Sequence, residues 1–480
     1  MLLTIKKRGV VAALLVCATF GLGRLAAAAE PGKVAEAVDW KEQYAYSLGL
    51  QAYVFGFPYI YLPSLRWSWV TVPKPPGGAT PYAPVNHFHH VRNVADASYR
   101  DGGSPNNDTL YSIAWVDVGR EPVILSHPDM GDRYFTFQLA SLDSDNFAYV
   151  GKRTTGSKAG SFAIVGPHWK GKLPPGIQLL AASRTPTVLI LGRTLVDGPG
   201  DVATVNALQD RYSLVPLSFW GKKNLTLPES RDIWAPFDPK TDPLAEWKTM
   251  NLAMTEEPPE SRLKPLLATF SRIGVGPGQN VDAMDAATRR GLERAAVDGR
   301  KLLGEAIRSG ELGKRVNGWN IPPPAFGRAG LVDDFLLRGS LQCLGGIVAN
   351  DPEEAVYFNT AVDANGNPLT SSHSYTIRFA PGQLPDVGAF WSITMYDPTY
   401  NLTQNPINRY SIGNRTQGLR KDADGGLTVY VGPTAPGGER DANWLPSPAS
   451  GGFLVIMRTY MPGPDIVQQK WAPPPIQPAD

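Results

Sequence analysis

Between residues 34 and 62 the apolar positions Val34, Val38, Tyr44, Leu48 and Ala52 recur at helical intervals, and Pro58 and Pro63 close the run. This pattern predicts an N-terminal helical segment. Lys74-Pro75-Pro76-Gly77-Gly78 then breaks any regular structure and reads as a linker. From 81 to 193 the rhythm changes to short alternating runs at 110–116, 133–139, 161–165 and 187–191. Gly119, Pro128, Gly131, Gly166 and Pro174-Pro175-Gly176 divide these runs. Such spacing predicts an antiparallel sandwich. Helical stripes follow at 201–215, through Val202, Val205, Leu208 and Tyr212, and at 282–309, through Leu292, Ala296, Leu303 and Ile307. Past Ile321-Pro322-Pro323-Pro324 the strand pattern returns at 374–379, 390–395, 427–431 and 453–460. The long Gly/Pro/Asn connections there fit a jelly-roll or similar sandwich.

The expected architecture is mainly β with a helical middle domain. Its parts are a leader at 1–29, a helical segment at 30–73, a sandwich at 80–200, a helical domain at 201–324 and a second sandwich at 325–480. The 49 glycines and 44 prolines exceed ordinary usage and suit many turns. A formal net charge of +2 without a basic stripe argues against a nucleic-acid partner.

Lys6-Lys7-Arg8, the apolar run at 10–20 and Ala26-Ala27-Ala28-Ala29 follow the order of a secretory signal. Cleavage is expected after Ala29, giving a soluble periplasmic or secreted chain that starts at Glu30 and has no membrane span. Losing the leader's four cations turns the formal charge from +2 to −2. Cys17 leaves with the leader, so Cys343 remains alone in an apolar stretch and is expected in the core, unbridged.

Nucleophile-elbow, zinc-protease, Walker and dinucleotide signatures do not occur. On a strand, His87 and His89 would share one face and could begin a metal site, with Asp96 or Asp108 as a third ligand. No metal or other cofactor is expected, because two imidazoles fall short of a ligand set. In Pro105-Asn106-Asn107-Asp108-Thr109-Leu110-Tyr111-Ser112, turn chemistry accounts for the amide pair. Asp108, beside Thr109 and near Tyr111, could serve as general acid or base, and it is expected to matter for function more than for stability. Asp143, Asp145 and Asn146 read as a solvated loop. Trp391, Tyr396, Asp397, Asn408, Arg409 and Trp444 combine aromatic platforms with hydrogen-bonding groups, as a sugar or other flat polar ligand requires. Aromatics at alternate strand positions also suit a core, and Arg409 could hold a substrate carboxylate or pair with Asp397.

The stretch 105–112, Gly151-Lys152-Arg153-Thr154-Thr155-Gly156 and Gly192-Arg193-Thr194 resemble the bacterial family of domain of unknown function 1254. Phe390-Trp391-Ser392-Ile393-Thr394-Met395-Tyr396, Asn405-Pro406-Ile407-Asn408-Arg409-Tyr410-Ser411-Ile412-Gly413 and Asn443-Trp444-Leu445-Pro446 resemble its usual partner, domain of unknown function 1214. The resemblance implies an immunoglobulin-like N-terminal sandwich, a helical middle and a C-terminal jelly-roll-like domain in an exported protein. It implies no settled activity, and it matches His90 and Arg92 but not the His87 and His89 pair.

The leading expectation is a protein that binds a small polar or carbohydrate-like ligand between domains. Asp108, Tyr111 and Arg409 are its candidate catalytic or polar-site residues, and Asn107, Trp391, Asn408 and Trp444 its candidate ligand contacts. The alternatives are a metal-independent hydrolase of ester or glycosidic bonds, with Asp108 as acid/base and Arg409 or Tyr111 steadying charge, and a structural envelope protein. A homo-oligomer stays open.

Overall fold

The computed structural model describes residues 39–74, 80–100, 103–223 and 226–479. The expected leader with Cys17, and the centre of the 74–78 linker, lie outside them. Among the described residues no helix is long and apolar enough to cross a membrane.

Two sandwiches and a helical body make up the chain from Trp40 onward. In the N-terminal sandwich, β1 (His89–His90), β2 (Thr109–Asp117), β4 (Phe135–Ser141), β5 (Asn146–Gly151) and β8 (Thr187–Leu195) form one sheet in the order β1-β2-β8-β4-β5. The second sheet, β7-β6-β3-β9, consists of β3 (Val123–His127), β6 (Gly160–Ile164), β7 (Gln178–Leu179) and β9 (Ser213–Pro216). The two sheets close on Val116, Phe135, Phe137, Leu139, Val188 and Ile190 from one side, with Val123, Leu125, Phe162 and Ile164 from the other.

The helical body joins both expected helical regions. Helices α1 (Trp40–Gly56) and α2 (Pro58–Thr71) pack with α4 (Ala245–Glu256), α5 (Lys264–Phe270) and α6 (Ala286–Ser309), while α3 (Val202–Gln209) stays with the sandwich. Pro58 does not end the first run. It opens α2 at a first-turn position, where its missing N–H costs nothing, and Pro63 sits inside that helix. The stripe at 201–215 is likewise shorter than expected, because the chain turns into strand β9 after α3. Helix α6 starts at an Asp285 cap, whose carboxylate accepts from the Thr288 N–H at 3.0 Å. Gly291 and Gly299 let α1 approach closely: a Cβ at Gly291 would strike the Glu42 carbonyl, and one at Gly299 the Tyr53 ring. A π-helical turn, Arg338–Leu344, carries Cys343 into this core, fully buried as its apolar surroundings predict, and burial pushes its thiol above the ordinary range.

In the C-terminal sandwich, β10 (Lys314–Val316), β11 (Trp319–Ile321), β12 (Ala355–Thr360), β14 (Val387–Tyr396), β15 (Ser411–Gly413) and β18 (Leu454–Pro462) form a sheet ordered β10-β11-β12-β18-β14-β15. It packs on β17-β16-β13-β19, formed by β13 (Tyr375–Phe379), β16 (Leu427–Gly432), β17 (Trp444–Pro446) and β19 (Ile476–Pro478).

The outer face of the first sheet decides where a site can form, because it is covered twice. Ile113, Trp115, Ala140, Leu189 and Leu191 pack into the helical core, whereas Tyr134 and Leu195 pack on Ala355, Phe390 and Tyr460 of the C-terminal sheet. Strands buried on both faces lose the apolar/polar alternation of a half-exposed sheet.

Candidate functional site

Directly paired residues on neighbouring strands project from the same sheet face. In the N-terminal sheet, Arg193 of β8 pairs with Tyr111 of β2 and Thr136 of β4, making one polar row across three strands. In the C-terminal sheet, Arg458 of β18 pairs with Tyr357 of β12 and Ser392 of β14, making a second. Both rows lie on the faces that meet through Tyr134, Leu195, Ala355, Phe390 and Tyr460. Each row therefore places an arginine at the centre of the seam between the two sandwiches.

Neither arginine has a carboxylate at ion-pair distance among the described residues. Arg193, 7% exposed, donates to Gln138 Oε1 at 2.8 Å and more weakly to Asn350 Oδ1 at 3.4 Å, and lies 5.3 Å from the centre of the Tyr111 ring. Its Nε is buried with no acceptor. Arg458, 5% exposed, donates to Thr394 Oγ1 at 3.1 Å and to the Ser104 carbonyl at 3.0 Å. Burial pushes the phenols of Tyr134, Tyr357 and Tyr460 above their ordinary range. At neutral pH these phenols are dipoles and supply no counter-charge.

Asp108 sits at the edge of this seam as a clamp. Its carboxylate, in a residue only 3% exposed, accepts from Ser392 Oγ at 2.6 Å and from the Arg415 guanidinium at 2.9 Å. Arg415 also reaches Asp197 and the Val196 carbonyl, and lies over the Phe390 ring. Asn106 shows the expected turn chemistry, its Oδ1 accepting from the Asp108 N–H at 2.7 Å, and its amide also donates to the Tyr460 hydroxyl at 2.6 Å. Asn107 is half-buried, with Oδ1 enclosed and unpaired. The 105–112 stretch thus docks one sandwich on the other. Tyr111 belongs to the seam by register.

The remaining sequence candidates lie elsewhere. Trp391 faces inward and packs on Phe379 in the C-terminal core, 5.5 Å between ring centres. Trp444 is buried, with its indole donating to the Gly432 carbonyl at 2.9 Å. Asn408 is an exposed turn residue at φ 50°. Arg409 pairs with neither Asp108 nor Asp397, since its guanidinium donates to the carbonyls of Asp441, Ala442 and Trp444. Asp397 instead accepts from Thr399 and Asn401.

The histidine reading also changes, because His87 lies in a turn before the two-residue strand β1 and its Nδ1 is 3.0 Å from the Val85 carbonyl. His90 sits 2.8 Å from Ser112 Oγ, and burial pulls its pKa down to about 4. Asp96 accepts from Ser98. No group of three or more His, Cys, Asp or Glu among the described residues could hold a metal ion.

Asp143, Asp145 and Asn146 are not solvated. All three are buried at the joint between sandwich and helical body, where Arg184 donates to Asp143 at 2.8 Å and Gln342 to Asp145 at 2.9 Å. Arg184 holds Asp143 low against its burial, while burial and Asp143 push Asp145 up to about 6. Asn146 donates to Asp351 at 2.8 Å, and burial pushes Asp351 up to about 6 as well. An apolar crevice lined by Pro322, Pro323, Phe326 and Ile466 carries no titratable group.

Arg193, Arg458 and Tyr357 were missed as site residues. For the two arginines the signal was a single charge inside an apolar strand: Leu191-Gly192-Arg193-Thr194-Leu195 and Ile456-Met457-Arg458-Thr459-Tyr460.

Fold and seam define a protein of two β-sandwiches docked face to face beside a helical body. Residues 85–216 match the family described as protein of unknown function (DUF1254), and residues 354–464 match protein of unknown function (DUF1214). The chain belongs to the family that carries these two domains in this order, and each domain contributes one polar row. The crystal structure of the VPA0106 protein from Vibrio parahaemolyticus is similar, at 25% identity and a TM-score of 0.69, over 91% of this chain and 100% of that one. An uncharacterised protein from Burkholderia cenocepacia aligns at 15% identity and a TM-score of 0.41, over 91% of this chain and 93% of that one. No curated protein matches the chain.

Proposed function

We propose that this is an exported binding protein that takes a small polar ligand into the seam between its two sandwiches, with Arg193, Tyr111, Arg458 and Tyr357 as contacts and Asp108 as the clamp that fixes the seam. The observation that carries this reading is the pair of facing polar rows. Buried polar groups ordinarily find partners within the protein; here Arg193 Nε does not. Tyr111 and Tyr357, the half-buried outer members of the rows, give the seam its contact with solvent. The order of charge, apolar run and alanines at 6–29 supports export to the periplasm or beyond, with the mature chain starting at Glu30.

A thermal-shift screen of neutral sugars, polyols, amino acids and small acids tests the binding. A ligand held only by the folded state stabilises it by about 2.7 kcal/mol at a hundred times Kd. The expected result is a saturable rise in Tm that shrinks in Tyr111→Phe and Tyr357→Phe. A panel without effect, or a shift equal in both variants, overturns the reading.

A further inference from the structure

Four of the buried or half-buried arginines in this protein meet carboxylates: Arg133 pairs with Asp201, Arg153 with Glu354, Arg184 with Asp143 and Arg415 with Asp108. Arg338 and Arg409 instead close on backbone carbonyls, whereas Arg193 has only the amide oxygens of Gln138 and Asn350, and Arg458 has a threonine hydroxyl and one carbonyl. The carboxylates beside the seam are already engaged, Asp108 by Arg415 and Ser392 and Glu354 by Arg153 and Tyr134. A guanidinium taken out of water without a compensating charge is strongly disfavoured, and an apolar residue of similar volume would serve packing better.

The proton inventory points the same way. Asn350 Oδ1 accepts from Arg193, which orients the amide so that its Nδ2 donates to the Tyr357 hydroxyl at 2.6 Å. Asn106 Oδ1 accepts from the Asp108 N–H, so its Nδ2 donates to the Tyr460 hydroxyl. Both phenols are therefore acceptors in these bonds, and their own protons meet no acceptor among the described residues. The Tyr111 hydroxyl makes no hydrogen bond there either. With Arg193 Nε–H this makes four donors without acceptors: Tyr111 lies against the guanidinium, Tyr357 is joined to it through Asn350, and the Tyr460 ring centre is 6.4 Å from that of Tyr357. Against these stand two enclosed oxygens without a partner, Asn107 Oδ1 and Thr136 Oγ1, so donors outnumber acceptors and, with positive charge in excess, favour a ligand rich in acceptors.

We propose that the group taken into this seam is an oxyanion, a carboxylate or phosphoryl group, received by Arg193 and the hydroxyls of Tyr111, Tyr357 and Tyr460. This rests on the reading of the seam as a ligand site. A planar guanidinium bonds such oxygens in a charge-assisted way that a neutral sugar hydroxyl does not match.

The test is isothermal titration and thermal shift of the full-length mature protein with sodium acetate, inorganic phosphate and, as neutral probe, glucose, all against sodium chloride at equal ionic strength. Saturable binding of acetate or phosphate is expected, at least tenfold weaker in Arg193→Met and weaker in Tyr111→Phe. Acetate alone identifies a carboxylate site, and phosphate alone a phosphoryl site. Arg193→Lys, which keeps the charge and loses the fork, covers the case in which Arg193→Met does not fold, and should also bind at least tenfold more weakly. Anion binding unchanged in the arginine variants overturns the proposal. Binding of glucose alone, lost in Tyr357→Phe, overturns it while leaving the seam a ligand site. Silence from every probe overturns both.

Discussion

Arg193 and Tyr357, which stand on different sandwiches, are joined through one amide: Asn350 Oδ1 accepts from the guanidinium at 3.4 Å and its Nδ2 donates to the phenol at 2.6 Å. The segment carrying Asn350 also holds Asp351 against Asn146 and Glu354 against Arg153 and Tyr134. Five residues of chain thus register one sheet against the other.

Replacing that amide by a carboxylate supplies the counter-charge from within. Asn350→Asp is expected to raise stability in anion-free buffer, by about 1 kcal/mol for a hydrogen bond made charge-assisted on both sides, and to weaken acetate or phosphate binding at least tenfold. Urea unfolding paired with titration checks it. A less stable variant with undiminished anion affinity would contradict it.

For Asp108 the expectation reverses. Its position before β2 suggested a functional carboxylate, but both oxygens are tied across the domain seam to Ser392 and Arg415. Asp108→Asn leaves the Arg415 guanidinium with Asp197 as its one remaining carboxylate and should cost about 2 kcal/mol. Chemical denaturation measures this, and a loss below about 1 kcal/mol would return Asp108 to the functional column.

The acid behaviour follows from Asp351, which burial pushes up to about 6. An unfolded aspartate titrates near ~3.9, so the folded state holds this proton more tightly. The resulting stabilisation is fully present below about pH 4 and is lost as pH rises through about 6. Asp351→Asn, which resembles the protonated form, should therefore gain on the wild type between pH 4 and pH 7, by at most about 3 kcal/mol. Melting curves of both proteins across that range decide the point, and a difference independent of pH speaks against it.

Two glycines of α6 should respond oppositely to alanine. At Gly291 the added methyl meets the Glu42 carbonyl and the Ala45 side chain, so Gly291→Ala should cost about 1–3 kcal/mol through overpacking. At Gly304 it meets only the end of the Arg308 side chain, so Gly304→Ala should gain up to about 1 kcal/mol from helix propensity. Equal effects at the two sites would refute this reading of the α1–α6 contact.

Much of the fold was legible because its strands and helices keep local periods. The two sandwiches and the stripe of α6 follow from residue spacing alone, and Cys343 was correctly placed inside by its apolar neighbours. The site was less legible, since it depends on which face a strand turns toward which partner. Trp391 and Ser392 are adjacent in sequence and equally polar-aromatic in context, yet β14 sends the first into its own core and the second to Asp108. Asp145 looked solvated because its partners Arg184, Gln342 and Gly330 are far away along the chain. Arg409 looked like a ligand contact because nothing local shows that it closes a loop on backbone carbonyls.

The doubly covered sheet has a consequence for the order of assembly. Its inner face can close on β3, β6 and β9 as soon as residue 216 has been made, but the outer face around Tyr134, Leu195 and Arg193 waits for Phe390, Arg458 and Tyr460. During synthesis from the N-terminus some 240 further residues must emerge before that cover arrives. In the interval the nascent chain presents a greasy, arginine-bearing sheet face of the kind that invites wrong partners. Holding the chain unfolded until its last strand is available, as export in an extended form does, removes that interval, and the N-terminal sandwich produced alone would keep the exposed face permanently.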